Sequence, residues 1–158
     1  MDLVLVGAVW LHTVAFVIAW GYYGILARMI LPGLSGSLDV AGRAYSLAAI
    51  ERRALPVVLL AVVLFVVTGS YMLVINPQYS GLGSFSSTWA VLMLAKHLLV
   101  VVLVGLGVLI DYLIRGLANW AKDEDRVKEM RWIALAADGA TGLGALIALL
   151  TAAAQLAV

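Results

Sequence analysis

Along the chain, four long apolar runs alternate with three more polar connections. The runs cover roughly Leu3–Leu31, Leu55–Ile75, Thr88–Ile114 and Trp132–Val158. Each is long enough to cross a ~30 Å hydrocarbon core as a helix, which takes about 20 mostly apolar residues. The pattern predicts an all-α integral membrane protein, a bundle of four transmembrane helices in one domain over residues 1–158. Asp2 stands where a signal peptide would carry basic residues, and the first run is too long for a signal core. The first run is therefore expected to be a retained helix.

Punctuation between the runs is consistent with this division. Pro56 suits the first turn of the second helix, where a missing N–H costs little. Asn76-Pro77 and Gly81-Leu82-Gly83 mark a turn, and Ser86, Ser87 or Thr88 can cap the third helix. Between the first two runs, Leu38, Ala41, Tyr45 and Ala48 recur at helical spacing within Ser37–Ala54. That stretch is either a short interfacial helix, with Arg43, Arg52 and Arg53 available to headgroups, or a plain connector. Asp123-Glu124-Asp125 stands where the fourth helix would start, and acids there complement the helix dipole.

Charge orients the bundle. Arg28, Arg43, Arg52 and Arg53 flank the first connection, and Arg115, Lys122, Arg126, Lys128 and Arg131 flank the third. The second connection carries no charge, so nine of ten basic residues fall on one side. The positive-inside rule makes that side cytoplasmic and places both termini outside. Trp20, Tyr22, Tyr23, Tyr112, Trp120 and Trp132 are expected to band the inner interface, and Tyr71, Tyr79, Phe85 and Trp89 the outer one.

Composition agrees with lipid as the solvent: 65% of residues are hydrophobic and 12% charged, against roughly half and a quarter in soluble domains. The absence of cysteine excludes disulfides, iron–sulfur clusters and thiolate metal sites. A net charge of +1 gives no reason to expect nucleic acid as a partner.

Ionisable groups within a span are expensive and usually functional. Here they are His12, Lys96, His97 and Asp138, with Asp111 near the inner boundary. The first and third helices run in the same direction. His12 and His97 each lie nine residues into their spans, so both sit ~13 Å below the outer boundary. At the same level, a count up the other two helices by ~16 Å reaches Thr68-Gly69 and Gly142-Leu143-Gly144. Small residues there serve either close helix packing or a slot for a flat macrocycle.

Two level imidazoles suit a metal. Haem needs only two axial ligands in an apolar slot between helices, with His12 and His97 as the pair. Zinc usually takes three or four ligands, and no third is level. Copper could draw on Met93, one turn before His97, and on Met72, although methionines more often simply pack. In the remaining alternative each histidine hydrogen-bonds a neighbouring helix. Lys96 could meet a ligand carboxylate such as a haem propionate, or snorkel outward. Asp138 is expected to pair with Arg28 or Arg131 unless it relays protons, and Asp111 to pair with Arg115 at i,i+4.

Trp10-Leu11-His12, Ala19-Trp20, Tyr23 and Arg28 resemble the first helix of the HemJ-type protoporphyrinogen oxidases. Trp89 and Lys96 resemble that family's third helix, and Thr68-Gly69 with Lys96 is also similar to the CopD-like copper-resistance membrane domain. The resemblance implies a four-helix membrane bundle binding haem b, with His12 matching a haem-linked histidine and Lys96 a functional lysine. Two features depart from the oxidase pattern. His97 is additional to it, and Met29-Ile30-Leu31-Pro32-Gly33-Leu34 lacks a histidine expected after Arg28.

The reading is a haem b protein of the prokaryotic inner membrane, its haem ligated by His12 and His97, flanked by Lys96, Gly69 and Gly142, and exchanging electrons with a quinone or partner subunit. Met93 is the alternative ligand. The rivals are a protoporphyrinogen IX oxidase, a copper transport or resistance protein, and an accessory subunit of a larger membrane complex or homo-oligomer.

Overall fold

The structure, a computed structural model, describes residues 2–79, 81, 87–119 and 123–156. Helix α1 spans Leu3–Ser37, α2 Val40–Val74, α3 Thr88–Asn119 and α4 Asp123–Leu156. All four are long and apolar enough to cross a membrane, and no strand occurs among the described residues. Their outward faces carry exposed Val17, Leu60, Val63, Val108 and Leu149. An exterior this apolar belongs in lipid.

Local chemistry sets the helix ends. Asp2 caps α1 by accepting from the Val4 N–H at 2.9 Å. Near its other end the helix widens over Leu26–Ile30 into a π turn, where the Leu31 N–H donates to the Leu26 carbonyl. Pro32 follows directly; it lacks an N–H and its ring would clash with a carbonyl four residues back, which accounts for the wider turn here. Ser87 Oγ accepts from the Ala90 N–H at 3.2 Å and caps α3, and α4 starts at the acidic Asp123. Asn76 closes the turn after α2, its side chain accepting from the Gln78 N–H and its carbonyl from the Tyr79 N–H. Gly81 has a φ of +109°, where a side chain would be strained. Leu82, Gly83, Phe85, Ser86, Trp120 and Lys122 lie outside the described residues.

Two expectations about the second helix are corrected. The stretch before Leu55 is no separate interfacial helix; it is the first part of α2, which is capped by Asp39, whose side chain accepts from the Gly42 N–H at 2.9 Å. Pro56 accordingly lies inside a helix of 35 residues, not in its first turn. It forgoes one bond to the Arg52 carbonyl, a local loss in a helix held by packing on both sides.

The helices form a square. Helix α1 packs on α2 and α4, α3 packs on the same two, and α1 and α3 face one another across the diagonal. The basic end holds the main core, with Leu26, Leu47, Ile110, Ile114, Leu117 and Ile133 almost fully buried. At the opposite end a smaller cluster joins Trp89, Ala90 and Ala154, with Leu73, Tyr79 and Met93 against it. Tight packing at one end therefore gives way to looser packing at the other.

The aromatic bands hold only in part. Tyr112 and Trp132 face outward, but Tyr23 and Trp89 are buried. Trp20 turns inward and donates from Nε1 to the Thr141 carbonyl at 2.8 Å. A Cβ at Gly144 would overlap the Trp20 indole, so the glycine is what lets α1 and α4 close on this ring.

Candidate functional site

A cavity of about 400 Å³ opens in the looser half of the bundle and takes walls from all four helices. Helix α1 contributes His12; α2 contributes Phe65, Gly69 and Met72; α3 contributes Trp89, Met93, Lys96 and His97; α4 contributes Thr151, Ala154 and Gln155. The two histidines thus line one space, reached from helices on opposite corners of the square.

Each imidazole is held through the same nitrogen. His12 Nδ1 lies 3.0 Å from the Phe65 carbonyl and 3.0 Å from Thr68 Oγ1. The Thr68 hydroxyl donates its own proton to the Leu64 carbonyl at 2.6 Å, so toward His12 it accepts. His97 Nδ1 lies 2.6 Å from the Met93 carbonyl one turn earlier. A carbonyl only accepts, so Nδ1 carries the proton in both rings, and in the neutral imidazole the lone pair is then on Nε2. Fixing one ring nitrogen with a carbonyl is how proteins orient a metal-binding histidine.

Packing reinforces the pose of His12. Its ring stacks on Phe65 with centroids 4.2 Å apart, and Phe65 continues through Phe16 to Trp20. A Cβ at position 69 would come 2.9 Å from His12 Cε1. Gly69 therefore lines the cavity against the His12 ring.

Gly142 does not. It is absent from the cavity wall, and a Cβ there would meet nothing within 4 Å. The bond from Trp20 to Thr141 puts the Gly142 region level with the middle of α1, well below His12. The α4 residues level with the histidines begin at Thr151, nine residues further on, a displacement of ~13 Å. An equal depth count from each apolar boundary failed because α4 extends well beyond the core of its apolar run.

Lys96 lines the cavity beside His97 and has no hydrogen-bond or ion-pair partner among the described residues. Met72 and Met93 line it as well. No group of three or more His, Cys, Asp or Glu side chains gathers among the described residues, so the two histidines stand short of the three or four ligands that zinc usually takes. The other intramembrane charges are paired. Arg28 meets Asp138 at 3.0 Å, and Arg115 meets Asp111 at 2.9 Å.

One buried acid escaped sequence reasoning. Glu51 is only 6% exposed and accepts a hydrogen bond from the Tyr22 hydroxyl. Its position beside Arg52 and Arg53 made it look like part of a surface segment. The available signal was Tyr22-Tyr23 just past the middle of α1, polar tips that need partners once buried.

Fold and site together define a multi-pass helical membrane protein with a two-histidine cavity toward one end. The chain belongs to the copper resistance protein D family, whose pattern matches residues 48–154, more than half of the chain. That stretch contains His97, Lys96, Met93 and Met72 and begins after His12. No curated protein and no solved structure matches.

Proposed function

We propose that this protein is a haem b protein of the prokaryotic inner membrane, with His12 and His97 as axial ligands. One observation carries the reading: two imidazoles on diagonal helices line one cavity, each with Nδ1 engaged by a carbonyl and Nε2 left to coordinate. The donor set fits the group. Walls of Phe65, Val66, Leu73, Val100 and Val101 supply an apolar slot, and Lys96 offers a cation to a propionate. The volume is that of a site for an organic ligand rather than for a bare ion. Iron ligated by two imidazoles exchanges single electrons and has no open position for substrate. A quinone or a partner subunit would then accept or supply the electron.

Copper is the second reading, favoured by membership of the copper resistance protein D family and by Met72 and Met93 in the same cavity. Thioether and imidazole are suitable donors for copper(I). Absorption spectra of the oxidised and reduced detergent-purified protein, with metal analysis, separate the two. Sharp reduced α and β bands with stoichiometric iron are expected. Copper without haem would favour transport or resistance, and neither metal in a folded protein would leave the histidines as packing residues.

A further inference from the structure

At the basic end, a second cavity of about 260 Å³ lies where the last turns of α1 meet the first turns of α2 and α4. Its floor is apolar, formed by Leu31, Leu34, Leu47, Val127, Met130 and Ala134. Two guanidiniums, Arg43 and Arg131, and the Ser35 hydroxyl stand on its wall, and among the described residues no carboxylate does. The other arginines with a defined role are already committed, Arg28 to Asp138 and Arg115 to Asp111. Arg43 is pinned through Nε, which donates to the Leu38 carbonyl at 2.8 Å, so its terminal nitrogens remain for a ligand. Arg131 has no ion-pair partner among the described residues.

We infer that this cavity binds an anionic phospholipid from the leaflet at the basic end, its phosphate between Arg43 and Arg131 and an acyl chain on the Leu31–Leu47–Met130 floor. The argument is charge complementarity joined to amphipathic shape. Two guanidiniums on one cavity wall, with no acid beside them among the described residues, call for an anion, and basic pockets between membrane helices suit acidic headgroups. An apolar floor has no use for a free phosphate but matches a chain. The neighbouring cavity near Arg52 and Arg53 has a floor of alanines and Tyr45, and lacks such a slot. This inference is independent of what occupies the histidine cavity.

The test is native mass spectrometry of the detergent-purified protein with phosphatidylglycerol, phosphatidylcholine or inorganic phosphate added. Phosphatidylglycerol should be retained as a one-to-one adduct, while phosphatidylcholine and phosphate should not. Removing both charges in Arg43→Ala/Arg131→Ala should weaken retention about 30-fold, at roughly a factor of five per guanidinium. Arg52→Ala/Arg53→Ala should change it little. Ala134→Phe keeps every charge and fills the slot; it too should lose the adduct, and it serves if the double arginine variant fails to fold. Equal retention of phosphatidylcholine, equal loss in the Arg52/Arg53 variant, or full retention in Ala134→Phe would overturn the site. Displacement of the lipid by millimolar phosphate would make it a small-anion site and also overturn it.

Discussion

His12 and Gly69 meet so closely that the missing Cβ of the glycine is part of the histidine's environment. A methyl group at position 69 would stand 2.9 Å from Cε1 of a ring that also stacks on Phe65, one turn earlier on the same helix. The ring thus rests against a phenyl face and bare backbone of α2, with Nδ1 tied to the same helix. Helix α2 carries no metal ligand in this scheme, yet it fixes the one on α1.

Gly69→Ala should therefore disturb the site despite improving helix propensity. Replacing a helical glycine gains up to about 1 kcal/mol, whereas overpacking costs roughly 1–3 kcal/mol. Thermal unfolding in detergent should show a small net loss, and under the haem reading haem content should fall more sharply than stability. Gly7→Ala, in open space, should gain stability instead. Gly142→Leu should leave cofactor content unchanged, since no neighbour lies within reach of a Cβ there. Loss of the cofactor in Gly142→Leu would contradict the placement of α4.

The ligand set makes its own forecast. Under the haem reading, His12→Ala and His97→Ala should each abolish the low-spin spectrum or turn it high-spin, while Met93→Leu leaves it nearly unaltered. Lys96→Met should reduce the amount of haem retained without altering the spectrum of what remains, because it would meet a carboxylate and not the iron. Under the copper reading the order reverses, and Met93→Leu or Met72→Leu should lower the copper content.

Trp20 and Gly144 fix how far α4 slides along α1. Gly144→Leu would place a side chain where the indole lies, so the unfolding temperature should drop by several degrees, matching overpacking of roughly 1–3 kcal/mol. Trp20→Phe removes only the bond to the Thr141 carbonyl and part of the ring, so a smaller loss, about 1 kcal/mol for the bond, is expected. Circular dichroism melts of the two variants should rank in that order. Equal, negligible effects would mean the ring is not held there.

Orientation rests on charge alone, and labelling decides it. A cysteine introduced at Ser84 should react with an impermeant thiol reagent in intact cells, and one at Asn119 only after lysis. The opposite pattern would put the basic end outside and move the proposed phospholipid to the other leaflet.

Much of the architecture was legible because a bilayer leaves so few choices. Four runs long enough to span give four helices, alternation of direction makes the first and third parallel, and His12 and His97 then approach one level. The pair Asp111–Arg115 followed from its i,i+4 spacing, and the cost of a lone charge in lipid gave Asp138 a partner in Arg28 or Arg131, of which the fold forms the pair with Arg28. Boundaries were less visible. Glu51, Arg52 and Arg53 interrupt the apolar pattern, so the start of α2 read as a surface segment, although Tyr22 and close packing bury that acid. Gly142 was misplaced for a related reason: apolar runs record what lipid tolerates, not where one helix stands against another. That offset is set by side chains such as Trp20, and only three-dimensional packing reveals it.

The wide turn at Leu26–Ile30 has a geometric consequence for all that follows it. One extra residue wound into an ordinary α-helix would turn everything after it by about 100°, and a π turn absorbs that residue by winding less per residue. Leu31, Leu34 and Ser35 lie beyond the turn and line the cavity at the basic end. Deleting a single residue between Leu26 and Ile30 would let the helix wind evenly with those three side chains on the same face, whereas forcing all five residues into α winding would swing them around the axis. The turn acts as a phase keeper, holding the two ends of one helix on the faces their different neighbours require.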